Sequence, residues 1–177
     1  MFIKDKSLLS VAGAAKAVMA TKLKEDVEVQ KAGLVSMADK ALVDIFGVYL
    51  KAHTYHLNID GANFPQYHAL FGEVYEGLYG TVDNHAEHIR ILGGYVMLSP
   101  ATLARKSSVV EDTSAMLEPR QMLANLNDEL SKLVRELKTV YAAAEAAGEI
   151  GFSNFLQNNI EAFSKLNWKV ATTLKGV

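Results

Sequence analysis

The sequence contains no cysteine, which excludes disulfides and thiolate metal sites. That absence also suits a protein that handles oxidants. Proline occurs only three times, and Pro65, Pro100 and Pro119 each stand where a helix can open. No apolar run reaches the roughly 20 residues that a membrane helix needs, so no membrane role is expected. An excess of either charge is missing too. The formal net charge is −2, which argues against a generally basic nucleic-acid binder. The opening stretch MFIKDKSLLSVAGAAKAVMA loosely resembles a secretory signal, but Lys16 interrupts its apolar part and Asp5 sits among its early charges. The expectation is a soluble cytoplasmic protein.

What is present is helical. Half the residues are apolar and 21% are charged, a globular balance with enough length for one domain and a substantial core. From about Val29 to Asn58, apolar residues recur at Leu34, Met37, Ala41, Ile45, Val48 and Tyr55, the three-to-four spacing of a helix. NIDGAN follows as a turn, with Gly61 as breaker. A second helix is expected from Pro65 to about Leu92, stopped by Gly93 and Gly94. In the next connection, SPATLAR reads as a small helix with Ser99 as N-cap and Pro100 as first residue. A third long helix is expected from about Glu118 to Ala147, with Leu123, Leu126, Leu130, Leu133, Leu137 and Tyr141 on one stripe. A fourth covers about Gly151 to Leu174, offering Phe155, Ile160, Phe163, Leu166 and Val170 for burial. The fold class is therefore all-α: a four-helix bundle, residues 29–177, behind an N-terminal extension, residues 1–28. The long connection between helices two and three fits ferritin-like topology.

Within this frame His56, His68, Asp83 and Glu87 form a ligand set of two imidazoles and two carboxylates, suited to a hard or borderline cation such as iron. Asp83 and Glu87 share one helical face. Like charges so placed destabilise a bare helix by a few tenths of a kcal/mol, and a bound cation would offset that. His68 and Asp83 sit on one helix, about 60° apart in direction but separated along its axis by roughly 22 Å. One ion cannot reach both within a chain. If the four form one site, two chains must build it. Antiparallel pairing about a two-fold axis brings His68 of one helix to Asp83 and Glu87 of the other, twice per dimer, and His56 can join His68 across the short turn.

The segment KAHTYHLNIDGANFPQYHALFGEVY, followed by DNHAEHIRILGG, closely resembles the Dps family, the mini-ferritins that form hollow dodecamers and protect DNA from oxidative damage. His56, His68, Asp83 and Glu87 fall on the family's ferroxidase ligands. The LNW around Trp168 looks like the family's late tryptophan, so the resemblance covers most of the chain from about residue 30. It implies that Fe²⁺ binds between subunits, one or two ions per site, and is oxidised with peroxide as the usual oxidant. The Fe³⁺ product would be stored as mineral in a cage of two-fold dimers. Glu87 would be the bridging ligand if two irons bind. The alternative from another class is a structural DNA-compacting or shell protein with a degenerate metal site. A larger ferritin is disfavoured, because no Glu-x-x-His pair occurs in the chain.

Several neighbours depart from the family pattern. Leu57 replaces a frequent tryptophan, and Gly72 stands where a carboxylate is common, with Glu73 beside it. His88 replaces a frequent arginine. Asn154 stands for the acid at the pore that admits iron, with Glu149 as a possible substitute. The remaining candidates read as structural first. His53 is expected to be structural or solvent-facing, and His85 and His88 to be exposed polar positions. Gly72, Gly77 and Gly80 suggest close packing or a kink. Tyr67, Tyr75 and Tyr79 are expected to pack, with radical scavenging as the sharper reading, and Trp168 to lie in the core or an interface. The extension carries Lys4, Lys6, Lys16, Lys22 and Lys24 against Asp5 alone, before Glu25, Asp26 and Glu28 dilute the charge. DNA contact through these lysines is the expectation weighed against a frayed or docked terminal segment.

Overall fold

The computed structural model describes residues 6–112, 114 and 116–176. It contains five helices: α1 (Lys6–Asn58), α2 (Phe64–Ile91), α3 (Pro100–Lys106), α4 (Pro119–Ala146) and α5 (Ile150–Leu174). Among the described residues there is no strand. Nor, among the described residues, is any helix long and apolar enough to cross a membrane. Four long helices form the bundle, with α1 packed on α2 and α4, and α5 packed on α4 and α2. The expected stripes supply its core: Leu34, Ala41, Ile45, Val48 and Tyr55 from α1 and Leu123, Leu126, Leu130, Leu133 and Leu137 from α4 are all buried. Met37, Tyr141, Phe155 and Ile160 pack at its margin.

Helix ends follow from local chemistry. The α2 C-terminus is a Schellman motif, in which Gly93 adopts φ +86° and Gly94 N–H donates to the Ile89 carbonyl at 2.9 Å; glycine takes that left-handed conformation without Cβ strain. Gly148, at φ +72°, closes α4 in the same way, with Glu149 N–H donating to Ala144. At α3 the Thr102 N–H donates to Ser99 Oγ at 3.2 Å, the expected N-cap. Two features differ from the sequence expectation. Helix α1 does not begin near Val29 but runs unbroken from Lys6. Its residues 16–30 are all exposed, so this part of the arm does not pack on its own bundle.

The connection from α2 to α4 explains the topology. It runs along α1 in the same direction as α1 itself: Gly94 lies against Val35, Lys106 pairs with Asp39, Ser108 N–H donates to Asp44 at 2.8 Å, and Asp112 accepts from Lys51 at 2.8 Å and from Tyr55 Oη at 2.6 Å. The chain thus returns to the far end of the bundle before α4 begins. Helix α4 consequently runs parallel to α2, the arrangement of a ferritin-like crossover and not of an up-and-down bundle. Val96, Leu98, Val109 and Leu117 of the connection pack against the core, and buried polar groups add to its hold. Burial alone would raise the Asp44 carboxyl, but hydrogen bonds from Lys40 and Ser108 outweigh that and hold it below the ordinary value. Glu129, 5% exposed, accepts from Val110 N–H at 3.3 Å.

Candidate metal centre

The turn at Gly61, φ +92°, folds α2 back on α1 and brings His56 and His68 together. Their rings stack with centroids 3.6 Å apart. Each ring bonds the other residue's backbone: His56 Nδ1 to the His68 carbonyl and His68 Nδ1 to the His56 carbonyl, both at 2.8 Å. A carbonyl oxygen only accepts, so each Nδ1 must carry the proton. The neutral imidazole then holds its lone pair on Nε2, the atom a metal would bind. This is the orienting bond that a ligating histidine needs, since it fixes both tautomer and ring plane. Phe64 stacks on His68 at 4.8 Å, and Gly72 leaves room at His56, where an added Cβ would lie 3.4 Å from the ring. Both histidines are half-buried.

Asp83 and Glu87 lie further along α2 and are exposed. Neither makes a hydrogen bond or ion pair with any described residue. Fifteen residues of helix place Asp83 about 22 Å from His68. Accordingly, among the described residues of one chain, no group of three or more potential ligands comes together. The four residues therefore form two separate groups in a single chain, one of nitrogen and one of oxygen donors.

The other candidates sort differently. His85 is fully buried and not an exposed polar residue as expected. Its Nε2 bonds the Ala38 carbonyl at 3.0 Å, and burial pushes its imidazole down to about 4. Nothing partners its Nδ1. His88 also departs from expectation: it is half-buried, packs on Phe155 at 4.8 Å, and burial lowers its pKa. Periodicity could have found both, because they lie at the α2 positions facing α5. His53 stacks on Tyr75 at 4.4 Å, and Tyr75 in turn lies edge-on to His56 at 5.0 Å. Of the three glycines, Gly77 faces Leu166, where an added Cβ would come within 3.1 Å, and Gly80 has open space. Trp168 is 63% exposed, so it is not a core residue of the single chain. Asn154 lines a pocket of about 150 Å³ at the α4–α5 corner whose lining carboxylate is Glu145, not Glu149. The sequence reading missed the polar residues that hold the connection; Asp44 and Lys51, set among the apolar positions of α1, were their signal.

Comparisons with known proteins agree with this architecture. The model of the ferritin-like domain family matches residues 38–177. An uncharacterised protein of Haemophilus influenzae is 30% identical over 80% of this chain and 88% of its own length. The DNA protection during starvation protein 1 of Deinococcus radiodurans is 26% identical over 72% of this chain and 61% of its own length. The crystal structure of the Vibrio cholerae Dps protein, described as one of the ferritin-like diiron-carboxylate proteins, superposes with a TM-score of 0.77 at 27% identity, covering 82% of this chain and 91% of that one. The family match spans most of the chain, and relatives and solved structures converge on one branch of it: the chain belongs to the Dps family of ferritin-like proteins.

Proposed function

We propose that the protein is a Dps-like ferroxidase and iron-storage protein, oxidising Fe²⁺ at sites shared between two subunits. The observation that carries this reading is the reciprocal histidine clasp. It commits both Nδ1 atoms to backbone carbonyls and leaves two Nε2 lone pairs for a cation. The complementary half is the partnerless pair Asp83 and Glu87 on the far part of α2. In a two-fold dimer, His56 and His68 of one subunit meet Asp83 and Glu87 of the other, giving two neutral nitrogen and two anionic oxygen donors. That set binds Fe²⁺ and, through its two negative charges, favours Fe³⁺ after oxidation. Hydrogen peroxide is the proposed oxidant, and the ferric product is stored inside a dodecamer of such dimers in the cytoplasm. Protection of DNA follows from removing both Fe²⁺ and peroxide.

Complementation tests the shared site directly. His68→Ala and Asp83→Ala homo-oligomers should each lose peroxide-driven Fe²⁺ oxidation. Unfolded together and refolded at equal concentrations, they form hybrid dimers in which one site receives an intact His68 and an intact Asp83. Random two-fold pairing then restores about a quarter of the wild-type sites. No recovery in a mixture shown to contain hybrids would sink the inter-subunit reading, and undiminished oxidation in either variant would sink the assigned ligands.

A second activity is favoured by the α1 arm. Lys16, Lys22 and Lys24 are exposed there with no acid before Glu25, so many copies on one particle would present a repeated cationic surface to DNA phosphates. Gel shifts at low and moderate salt should show binding that weakens steeply with salt and is lost on Lys-to-Gln substitution at all three positions. DNA binding retained with no iron oxidation would instead favour a structural DNA-compacting protein.

A further inference from the structure

Four donors suffice for one iron ion, and the position one turn after His68 is Gly72, which adds no further ligand. A single Fe²⁺ supplies one electron, whereas peroxide needs two to become water. A one-electron reduction would release hydroxyl radical beside the protein. The missing electron must come from elsewhere.

The His56 and His68 pair opens onto a continuous aromatic array. Tyr75 lies against His56 at 5.0 Å and stacks on His53 at 4.4 Å. Tyr49 lies 6.3 Å from Tyr75, 5.7 Å from His53 and 5.1 Å from Tyr79. Tyr79 is 58% exposed. The two inner phenols have proton acceptors: the Tyr75 hydroxyl donates to Glu76 at 3.3 Å, and the Tyr49 hydroxyl is 3.5 Å from His53 Nδ1. The exposed Tyr79 phenol faces solvent. Tyr67, by contrast, is buried in the core and takes no part.

Resting on the proposed iron site, we propose that Tyr75 supplies the second electron to peroxide and that Tyr49 and Tyr79 carry the resulting radical to the surface. In the balanced step, one Fe²⁺, one hydrogen peroxide, the Tyr75 phenol and one proton from solvent yield one Fe³⁺, two waters and a neutral Tyr75 phenoxyl radical. The O–O bond breaks. The phenol proton passes to Glu76 and on to a peroxide oxygen. Tyr49 then returns an electron to Tyr75 and hands its own proton to His53 Nδ1, while solvent reprotonates Tyr75 through Glu76. Tyr79 in turn returns an electron to Tyr49, which takes its proton back from His53 Nδ1, while the exposed Tyr79 phenol loses its own proton to solvent. An external one-electron reductant, with a proton from solvent, can quench the Tyr79 radical. The array thus replaces a second iron with an organic electron donor.

The test uses the assembled full-length protein, loaded anaerobically with less Fe²⁺ than one ion per site, mixed with peroxide and freeze-quenched for electron paramagnetic resonance. Wild type should show a tyrosyl radical. Tyr75→Phe, which keeps the ring and loses only the hydroxyl, should lower that signal several-fold and raise hydroxyl spin-trap adducts correspondingly. Tyr49→Phe should keep the radical but abolish oxidation of the peptide carrying Tyr79, read by mass spectrometry. Iron oxidised in wild type without any tyrosyl radical would overturn the relay while leaving the iron site standing, and so would an equal radical signal in Tyr75→Phe. Absence of iron oxidation in wild type would overturn both.

Discussion

The carboxylates of the α1–α4 face and the pair Asp83 and Glu87 on α2 are treated in opposite ways. Asp44 accepts from Ser107 Oγ at 3.0 Å and Ser108 N–H at 2.8 Å and pairs with Lys40. Asp112 accepts from Lys51, Tyr55 and Asn125. Asp83 and Glu87 accept from no described residue. A buried anion must be saturated with donors, because its desolvation is otherwise uncompensated. An exposed pair of like charges on one helix is tolerated by solvent but costs a little helix stability. The first arrangement holds a fold. The second leaves charge available for something outside the chain, the role that the proposed two-fold pairing with the histidine clasp would give it.

The contrast predicts opposite consequences for similar substitutions. The largest effect on folding is expected for Asp44→Ala, which strands buried donors of the connection and should cost about 3 kcal/mol in denaturant unfolding. Asp83→Ala should leave the unfolding midpoint nearly unchanged yet lower Fe²⁺ oxidation by about 10- to 100-fold. Equal destabilisation by the two would erase the distinction.

A third effect is smaller and depends on pH. Burial, followed by the nearby Asp44 charge, pushes the Glu136 carboxyl up to about 7. A raised pKa means that the folded state binds the proton more tightly. The contribution of Glu136 is therefore full below its ordinary value of 4.5 and is lost as pH rises through about 7. Asp44, held low, works the other way and loses its contribution only as pH falls below its ordinary value of 3.8. His85, held down to about 4, gains stability as pH rises toward its ordinary 6.5 and so opposes Glu136 over the same range. Glu136→Gln should therefore make thermal stability rise more steeply with pH between about 4.5 and 7 than in wild type. An unchanged slope would remove Glu136 from the network. Smallest is Gly72→Ala. An added Cβ meets the His56 ring at an ordinary 3.4 Å, so the better helix former should stabilise the chain by about 1 kcal/mol, detectable as a higher melting temperature.

Much of this was legible in advance because it is local. Leu123 to Leu137 mark α4 by period alone, and Ser99 and Gly93 mark ends that their own backbone chemistry enforces. The separation of His68 from Asp83 on one helix already meant that a single site holding both would need a second chain, since helical rise is fixed. His85 and His88 were misjudged because residue type was weighed over spacing: His85 continues the buried α2 stripe of Val74, Leu78 and Ile89, and His88 lies within one turn of it. The unbroken α1 was missed because the Lys-rich arm has no partner face that would show as a core pattern.

By itself, the sequence determined the helical class, most helix ends, and the types and spacing of the candidate donors, since helical period and donor chemistry are properties of the residues. Tertiary structure alone decided that His56 and His68 lock each other's Nδ1 atoms, that Asp44 and Asp112 belong to the fold, and that Tyr75 bridges the histidines to Tyr49 and Tyr79. Those outcomes depend on contacts between residues distant in sequence, which the turn at Gly61 and the path of the connection along α1 bring within hydrogen-bonding and stacking range.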